Sequence, residues 1–565
     1  MKKLIFIFVF TLALSFGSET FSVPPHPDLL NKIKLGKPAP SYLTNQRFFE
    51  QKGIEIPSFH PLNKVYKAGT GPFGNFKVLV VLVEFTDDTA LVNPAYFDTL
   101  IGKVSNYYKE VSYQNLNIIL QDSCAQLDWL TASNTYSYYV NEQYGTGSFP
   151  QNSQGLVWDL VDLINPYVDF SDYDNDFDGY VDALVVIHAG TGAEVTLDST
   201  DMWSHKWSLP WPFVLKDGVT IRDYTIQPEY WVSPNDMTIG VYCHELGHIF
   251  GLPDLYDYDK DSYGVGNWSL MAYGTWNGYY GNYPAHPDAW CKSKLGYVTP
   301  NVVVSTMTGV TLQNIEHSPQ AYKLWTNGEV NSEYFLVENR QKKGYDSYLP
   351  SSGLLIWHID EDVSNNNNQW YPGYTTNGHY LAALEQSDGL WELEKKLNDG
   401  NSGDPYPGSF LNRNFKSSSW PNSRSYAGGE TYVSVTNIFN TDSIITCDFG
   451  VSPTGMENQE EPKNLPEDFT LGQNYPNPFN PFTTIPFSVY GSQFIVNSPI
   501  HTTLTIYNIL GQRVKTLVNE DRLPGEYSVV WNGKDEEGKE VTSGIYFYRL
   551  KSEKFEKTMK MTLLR

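Results

Sequence analysis

Cysteine is scarce, four in 565 residues, and none precedes Cys124. So few thiols exclude a disulfide framework as the source of stability. Cys243 and Cys291 flank the most informative region and could pair; Cys243 lies about 100° around a helix from its neighbour His244 and reads as structural. Basic residues are also short, 39 Lys and Arg against 64 Asp and Glu, a formal net charge of −25. Such a chain repels nucleic acid and anionic membranes and favours divalent cations, so nucleic-acid partners are excluded. Long apolar runs are missing except for Leu4 to Leu14, which follows Lys2 and Lys3 and precedes Ser15, Gly17 and Ser18. That pattern predicts a Sec signal peptide over residues 1–18, since a membrane span needs ~20 apolar residues. No other run qualifies, so the expectation is an exported protein without a transmembrane segment. With aromatics at 15% and charged residues at only 18%, disorder is excluded and a β-rich extracellular chain is favoured. The length exceeds a single core and predicts several domains.

The chain is organised around Val241 to Tyr258, VYCHELGHIFGLPDLYDY. His244 and His248 stand i, i+4 on a helix, so both imidazoles leave one face and can grip one cation. Glu245 between them is placed to act as general base toward water. Gly251 lets the chain leave the helix sharply, and Asp254 then returns toward the ion as a third ligand. Two His and one carboxylate leave a coordination position open, as catalytic zinc requires. A distant Glu such as Glu338 is an alternative third ligand, one that leaves Gly251 and Asp254 without a use. The rival of another class is a secreted binding or adhesion protein with a structural zinc site; Glu245 argues against it, because a structural site needs no free carboxylate beside the ion.

Elsewhere, residues 19–73 are Pro-rich and irregular, which fits a propeptide or a structural N-terminal arm. A propeptide here has no thiolate to offer a metal; a carboxylate such as Asp28 is the alternative. The buried strand 76–85 (FKVLVVLVEF) opens a catalytic domain over 74–300, followed by a helix over 94–111, a strand over 116–120, a helix over 152–165, an apolar strand over 180–188 and a helix over 286–296. The loop 174–182, DNDFDGYVD, places Asp174, Asp176, Asp178 and Asp182 at positions 1, 3, 5 and 9 with Gly at 6. These can wrap calcium, although Val185 stands where an EF-hand has its bidentate Glu; a solvated Asp/Asn turn is the plain alternative. Asp257, Asp259 and Asp261 offer a second calcium site or a solvated loop. His188 and His205 read as packed residues. Residues 301–451 alternate apolar and polar in short runs and predict a β-sandwich accessory domain, in which His358, with Asp360 and Glu361 nearby, reads as structural. An acidic linker, 452–466, leads to a small sandwich over 467–565.

The metal stretch resembles the extended zinc signature of the metzincin peptidases, with Asp254 in the third-ligand place. That resemblance implies a Met-turn at Ser269 to Tyr273, with Met271 as an apolar floor under the metal and Tyr273 as an oxyanion stabiliser; core packing is the alternative for both. NYYKEVSYQNL, DNDFDGYVD, LPDLYD and TWNG, with the later YFLVENR and GLLIWHID, together resemble the immune inhibitor A family of secreted metallopeptidases over roughly residues 74–450. This implies a multidomain protein, an α/β (α+β) metzincin-like catalytic domain followed by β-sandwich domains with the last immunoglobulin-like. It implies Zn2+ for catalysis, structural Ca2+, a propeptide, and endopeptidase activity on polypeptide substrates. A larger residue than Cys often precedes the first His in that family, which leaves the role of Cys243 open. LGQNYPNPFNP, YNILGQRVKTLV, WNGKDEEG and SGIYFYRL closely resemble the C-terminal sorting domain of the type IX secretion system. That implies partnership with the secretion machinery and export across the outer membrane to the medium or cell surface; a retained immunoglobulin-like adhesion module is the alternative.

Overall fold

The computed structural model describes residues 21–24, 26, 72–452 except 259, 375–377 and 442, and 470–564 except 475–476, 490–499, 523–524 and 553–554. The expected signal peptide, and most of the expected propeptide with Asp28, lie outside the described residues. The chain forms two compact units, Met1–Pro453 and Thr454–Arg565.

The first unit is built on β2 (Gly74–Glu84). Its run of Val and Leu is apolar on both faces because both are covered. Val78, Val80 and Leu82 pack toward α1 (Ala95–Val111), while Leu79, Val81 and Val83 pack toward α2 (Ser153–Ile164). Parallel to β2 run β3 (Leu116–Leu120), β4 (Trp129–Thr131) and β5 (Leu184–His188). Of the strand expected over 180–188, only the end that pairs with β2 forms; the residues before it belong to the acidic loop. The sheet continues through β7 (Asp223–Pro228), parallel to β5, to the antiparallel strand β6 (His205–Ser208). A short N-terminal strand, β1 (Phe21–Ser22), closes that edge by pairing antiparallel with β6.

The metal helix is α3 (Gly240–Ile249), every residue of which is buried. It carries no solvent face, so two solvated histidines on a surface helix are ruled out. It ends because Gly251 takes φ 88°, a left-handed turn open to glycine. The helix expected over 286–296 is shorter, α4 (Ala289–Lys294), because Asp288 caps it by accepting from the Trp290 and Cys291 amides. All four cysteines are free and buried, so the Cys243–Cys291 pairing is corrected. Cys243 instead lies where α3 meets α1, its carbonyl accepting from the Tyr108 hydroxyl at 2.5 Å.

Residues 301–451 form two sheets, as the alternation predicts. One holds Asn301–Val303, Ala321–Leu324, Glu333–Arg340, Gly353–Asp360 and Ala382–Leu384; the other holds Met307–Leu312, Phe415–Lys416, Ser434–Thr441 and Ile444–Gly450. This region, expected as a domain of its own, shares one hydrophobic core with the metal helix and α1. Polar ties cross the same boundary. Buried Arg340 binds both Asp346 oxygens, at 2.9 and 2.8 Å, and donates to the Trp268 carbonyl at 3.2 Å. Asp346 in turn accepts the His286 amide at 2.8 Å, and Asn366 donates to the Leu255 carbonyl at 3.0 Å. The trailing sheets thus brace the loops that carry Asp254 and Met271. The second unit is a β-sandwich around Ile485, Leu504, Ile506, Trp531, Tyr548 and Leu550. No helix among the described residues is long and apolar enough to cross a membrane.

Candidate metal centre and its surroundings

His244, His248 and Asp254 converge. His244 Nε2 and His248 Nε2 are 3.1 Å apart, and Asp254 Oδ1 lies 3.0 and 3.3 Å from them. Each imidazole is oriented from behind. His244 Nδ1 meets the Leu270 carbonyl at 2.9 Å and His248 Nδ1 the Leu252 carbonyl at 2.8 Å. A carbonyl only accepts, so Nδ1 carries the proton and the Nε2 lone pair faces inward. Burial lowers the His248 pKa, which keeps the ring neutral. Three electron-rich atoms therefore face one another in a fully buried place, and Asp254 Oδ1 has no hydrogen bond there. Such a cluster is complete only with a cation. Ligands of a tetrahedral zinc stand about 3.3 Å apart, so these residues fit that ion.

Glu245 is buried beside this cluster, and neither carboxylate oxygen makes a hydrogen bond of ordinary geometry. Burial, then the charges of Asp254 and Glu194, push its pKa well above the usual carboxylate range; the backbone amides of Val23 and Lys206 pull weakly the other way. Met271 is fully buried, its sulfur against Gly247, where an added Cβ would stand 2.7 Å from Sδ. Gly247, between the two histidines, thus admits the floor that the sequence assigns to Met271; a glycine in mid-helix is the signal available for it.

Tyr273 is the tyrosine expected at the ion. It is buried and packs edge-on against Tyr263 at 5.4 Å, with Tyr256 at 6.3 Å; none of its described contacts is with a candidate ligand. The tyrosine that reaches the cluster is Tyr258, whose hydroxyl donates to Asp254 Oδ2 at 2.6 Å. Sequence reasoning misses it, although it stands four residues past Asp254. Glu338, the alternative ligand, accepts from Trp357 Nε1 at 2.8 Å and Arg340 Nη1 at 3.4 Å, away from the imidazoles. His188 and His205 are buried, with burial lowering both to about 4; His205 Nε2 meets the Ser153 hydroxyl at 2.8 Å.

In the acidic loop, Asp174, Asp176 and Asp182 bring carboxylate oxygens within 4.8 Å of one another. Asp178 is not of this group, and its Oδ1 accepts the Tyr180 amide at 3.0 Å. The loop also binds itself, with Asp174 accepting the Asp178 and Gly179 amides and Asp182 the Asn175 amide. Asp257 caps Ser262 at 2.8 Å, as a loop-closing residue does.

The N-terminal segment lies against this centre. After β1, Val23 is 1% exposed, and its carbonyl accepts from Trp203 Nε1 at 3.2 Å. The Pro24 carbonyl accepts from Trp276 Nε1 at 2.9 Å, and the His26 amide donates to the Glu194 carbonyl at 3.3 Å.

Residues 98–298, which contain all three converging side chains, match the family model described as immune inhibitor A peptidase M6, catalytic domain. The chain carries an M6 peptidase domain. Residues 489–554 match a FlgD Ig-like domain, so the mixed α/β M6 domain is joined to an immunoglobulin-like C-terminal unit. Among relatives, Immune inhibitor A of Bacillus thuringiensis subsp. alesti is 30% identical over 278 residues, 38% of this chain and 38% of that protein. The pre-pro-metalloprotease PrtV of Vibrio cholerae serotype O1 (strain M66-2) is 33% identical over 199 residues, 30% of this chain and 21% of that protein. The chain therefore spans well under half the length of either relative. The solved structure of OgpA from Akkermansia muciniphila covers 90% of this chain and 96% of its own, at 11% identity and a TM-score of 0.22, too slight a likeness to carry a fold assignment.

Proposed function

We propose that this chain is a secreted zinc-dependent endopeptidase acting on extracellular polypeptides. The convergence of His244, His248 and Asp254, with inward lone pairs and a buried carboxylate oxygen lacking a hydrogen bond, carries the reading. Those three residues hold the zinc. When bound, it supplies Lewis acidity toward a substrate carbonyl and acidifies water. Glu245 takes a proton from the attacking water on a carboxylate oxygen and delivers it to the leaving amine. Tyr258 fixes Asp254 through Oδ2 and leaves Oδ1 for the ion. Met271 supports both imidazoles from below, and Tyr273 acts through packing. A buried carboxylate without full hydrogen bonds is costly in a purely structural site, which favours the enzyme over an adhesion protein.

Asp174, Asp176 and Asp182 take a structural calcium, with Asp178 shaping the loop. Residues 19–73 act as a propeptide, since the only stretch of them described before Pro72, between Phe21 and His26, lies on the groove beside Glu245. The C-terminal unit serves as a type IX sorting domain and directs export across the outer membrane. Glu245→Gln tests the central claim. With zinc content unchanged, hydrolysis of unfolded casein should fall by ~10²–10⁴-fold. Full activity in that variant removes Glu245 from the chemistry.

A further inference from the structure

Two kinds of contact hold the segment from Phe21 to His26 in its groove. The first kind ignores side chains. Phe21 and Ser22 pair with Lys206 and His205 through the backbone, and the Val23 and Pro24 carbonyls are gripped by the indole N–H groups of Trp203 and Trp276. Any extended polypeptide offers the same groups, which is how strand addition works. The second kind depends on one side chain. The His26 ring lies flat on Tyr280, with centroids 4.1 Å apart and planes at 17°, and meets Trp276 edge-on at 4.8 Å and 86°. It is only 6% exposed.

The walls of this recess are held by contacts outside it. Tyr280 is left-handed, with φ 53° and ψ 32°, a conformation unfavourable for an L-residue. Packing holds it there. Its carbonyl accepts from the Thr238 hydroxyl, just before α3, and neighbouring Gly281 leaves no space for a side chain, since an added Cβ would lie 2.7 Å from the Thr275 carbonyl oxygen. The walls thus hang from the start of the metal helix.

We propose that the recess between Tyr280 and Trp276 is a side-chain subsite of the substrate groove. It selects a flat ring, imidazole or aromatic, three residues C-terminal to the residue in Val23's place on a polypeptide laid antiparallel to β6. His26 is its resident occupant. The word substrate rests on the peptidase reading; the selectivity of the recess does not, so the test measures binding.

The receptor is the full chain carrying Glu245→Gln, with Val23→Gly and His26→Gly to loosen its own segment. The probes are synthetic hexapeptides Phe-Ser-Val-Pro-Pro-His and the same peptide ending in Phe or in Ala, titrated calorimetrically. The His and Phe peptides should bind about tenfold more tightly than the Ala peptide. Adding Tyr280→Ala to the receptor should abolish that difference and leave the Ala peptide within about twofold. Equal affinity for the three peptides, an equal loss for all three on Tyr280→Ala, or no binding overturns the subsite. In the otherwise native chain, amide exchange at Val23 should be faster in His26→Ala and unchanged in His26→Phe; equal exchange in both overturns it independently of receptor folding. Selective binding without casein hydrolysis by the zinc-loaded chain after proteolytic removal of the segment before Pro72 would refute the peptidase reading and leave the subsite standing.

Discussion

The metal helix and the trailing sheet each bury a histidine beside carboxylates, and the two arrangements lead to opposite chemistry. His244 and His248 each turn Nδ1 to a carbonyl, which fixes the tautomer and leaves Nε2 facing inward as a candidate ligand. His358 has a carboxylate on both nitrogens, Glu385 at 3.1 Å from Nδ1 and Glu333 at 2.9 Å from Nε2. Burial alone would lower its pKa; the two glutamates outweigh that and raise it. Stacked on Tyr426 at 4.0 Å, it is held toward the imidazolium form, which has no lone pair to offer. What decides between ligand and cation is the group on the second nitrogen, not the presence of His and acid together.

The strongest way to break this contrast is to move the carboxylates. Asp254→Ala should abolish stoichiometric zinc binding and, with it, casein hydrolysis, a loss of at least ~10²-fold. Glu338→Ala should keep the zinc and instead lose ~3–5 kcal/mol of stability, because buried Arg340 keeps its charge with one carboxylate fewer. Metal analysis and denaturant unfolding of both variants separate the outcomes, and zinc loss in Glu338→Ala would reverse the assignment. Next in size, Glu333→Gln should cost ~2–3 kcal/mol in denaturant unfolding with full zinc occupancy, since it removes one of the two carboxylates that charge His358. Gly247→Ala, aimed at the other side of the comparison, should cost ~1–3 kcal/mol by forcing Met271 away and should weaken zinc retention against a chelator.

The smallest effect is a pH dependence. A histidine whose folded pKa is raised adds stability that is fully present below its unfolded pKa of ~6.5 and is lost as pH rises through the folded value. The stability of the native chain relative to His358→Gln should therefore decline from pH 6 upward, followed by thermal unfolding. A difference independent of pH would mean that His358 is neutral.

The metal side of this contrast is legible in the sequence because i, i+4 spacing and a glycine exit fix geometry locally. His358 is legible as structural, but its partners are not, for Glu333 and Glu385 reach it by strand pairing from 25 and 27 residues away. The same reason hides the aromatic recess, whose walls come from residues after the Met-turn and whose occupant comes from the N-terminus. Tyr273 misleads because a position shared with a clan carries no information on where a ring points in a segment this rich in aromatics. The helix at 286–296 is shorter than its pattern because Asp288, read as part of it, is its cap.

The family match stops at residue 298, yet the core that holds the metal helix runs on to Val451. Cutting the gene near codon 300 would leave the peptidase portion with a raw apolar face and take from its Trp268 and Leu255 carbonyls the donors Arg340 and Asn366. The two stretches can be inherited, expressed or transplanted only together, whereas the immunoglobulin-like tail has a core of its own and is free to be exchanged.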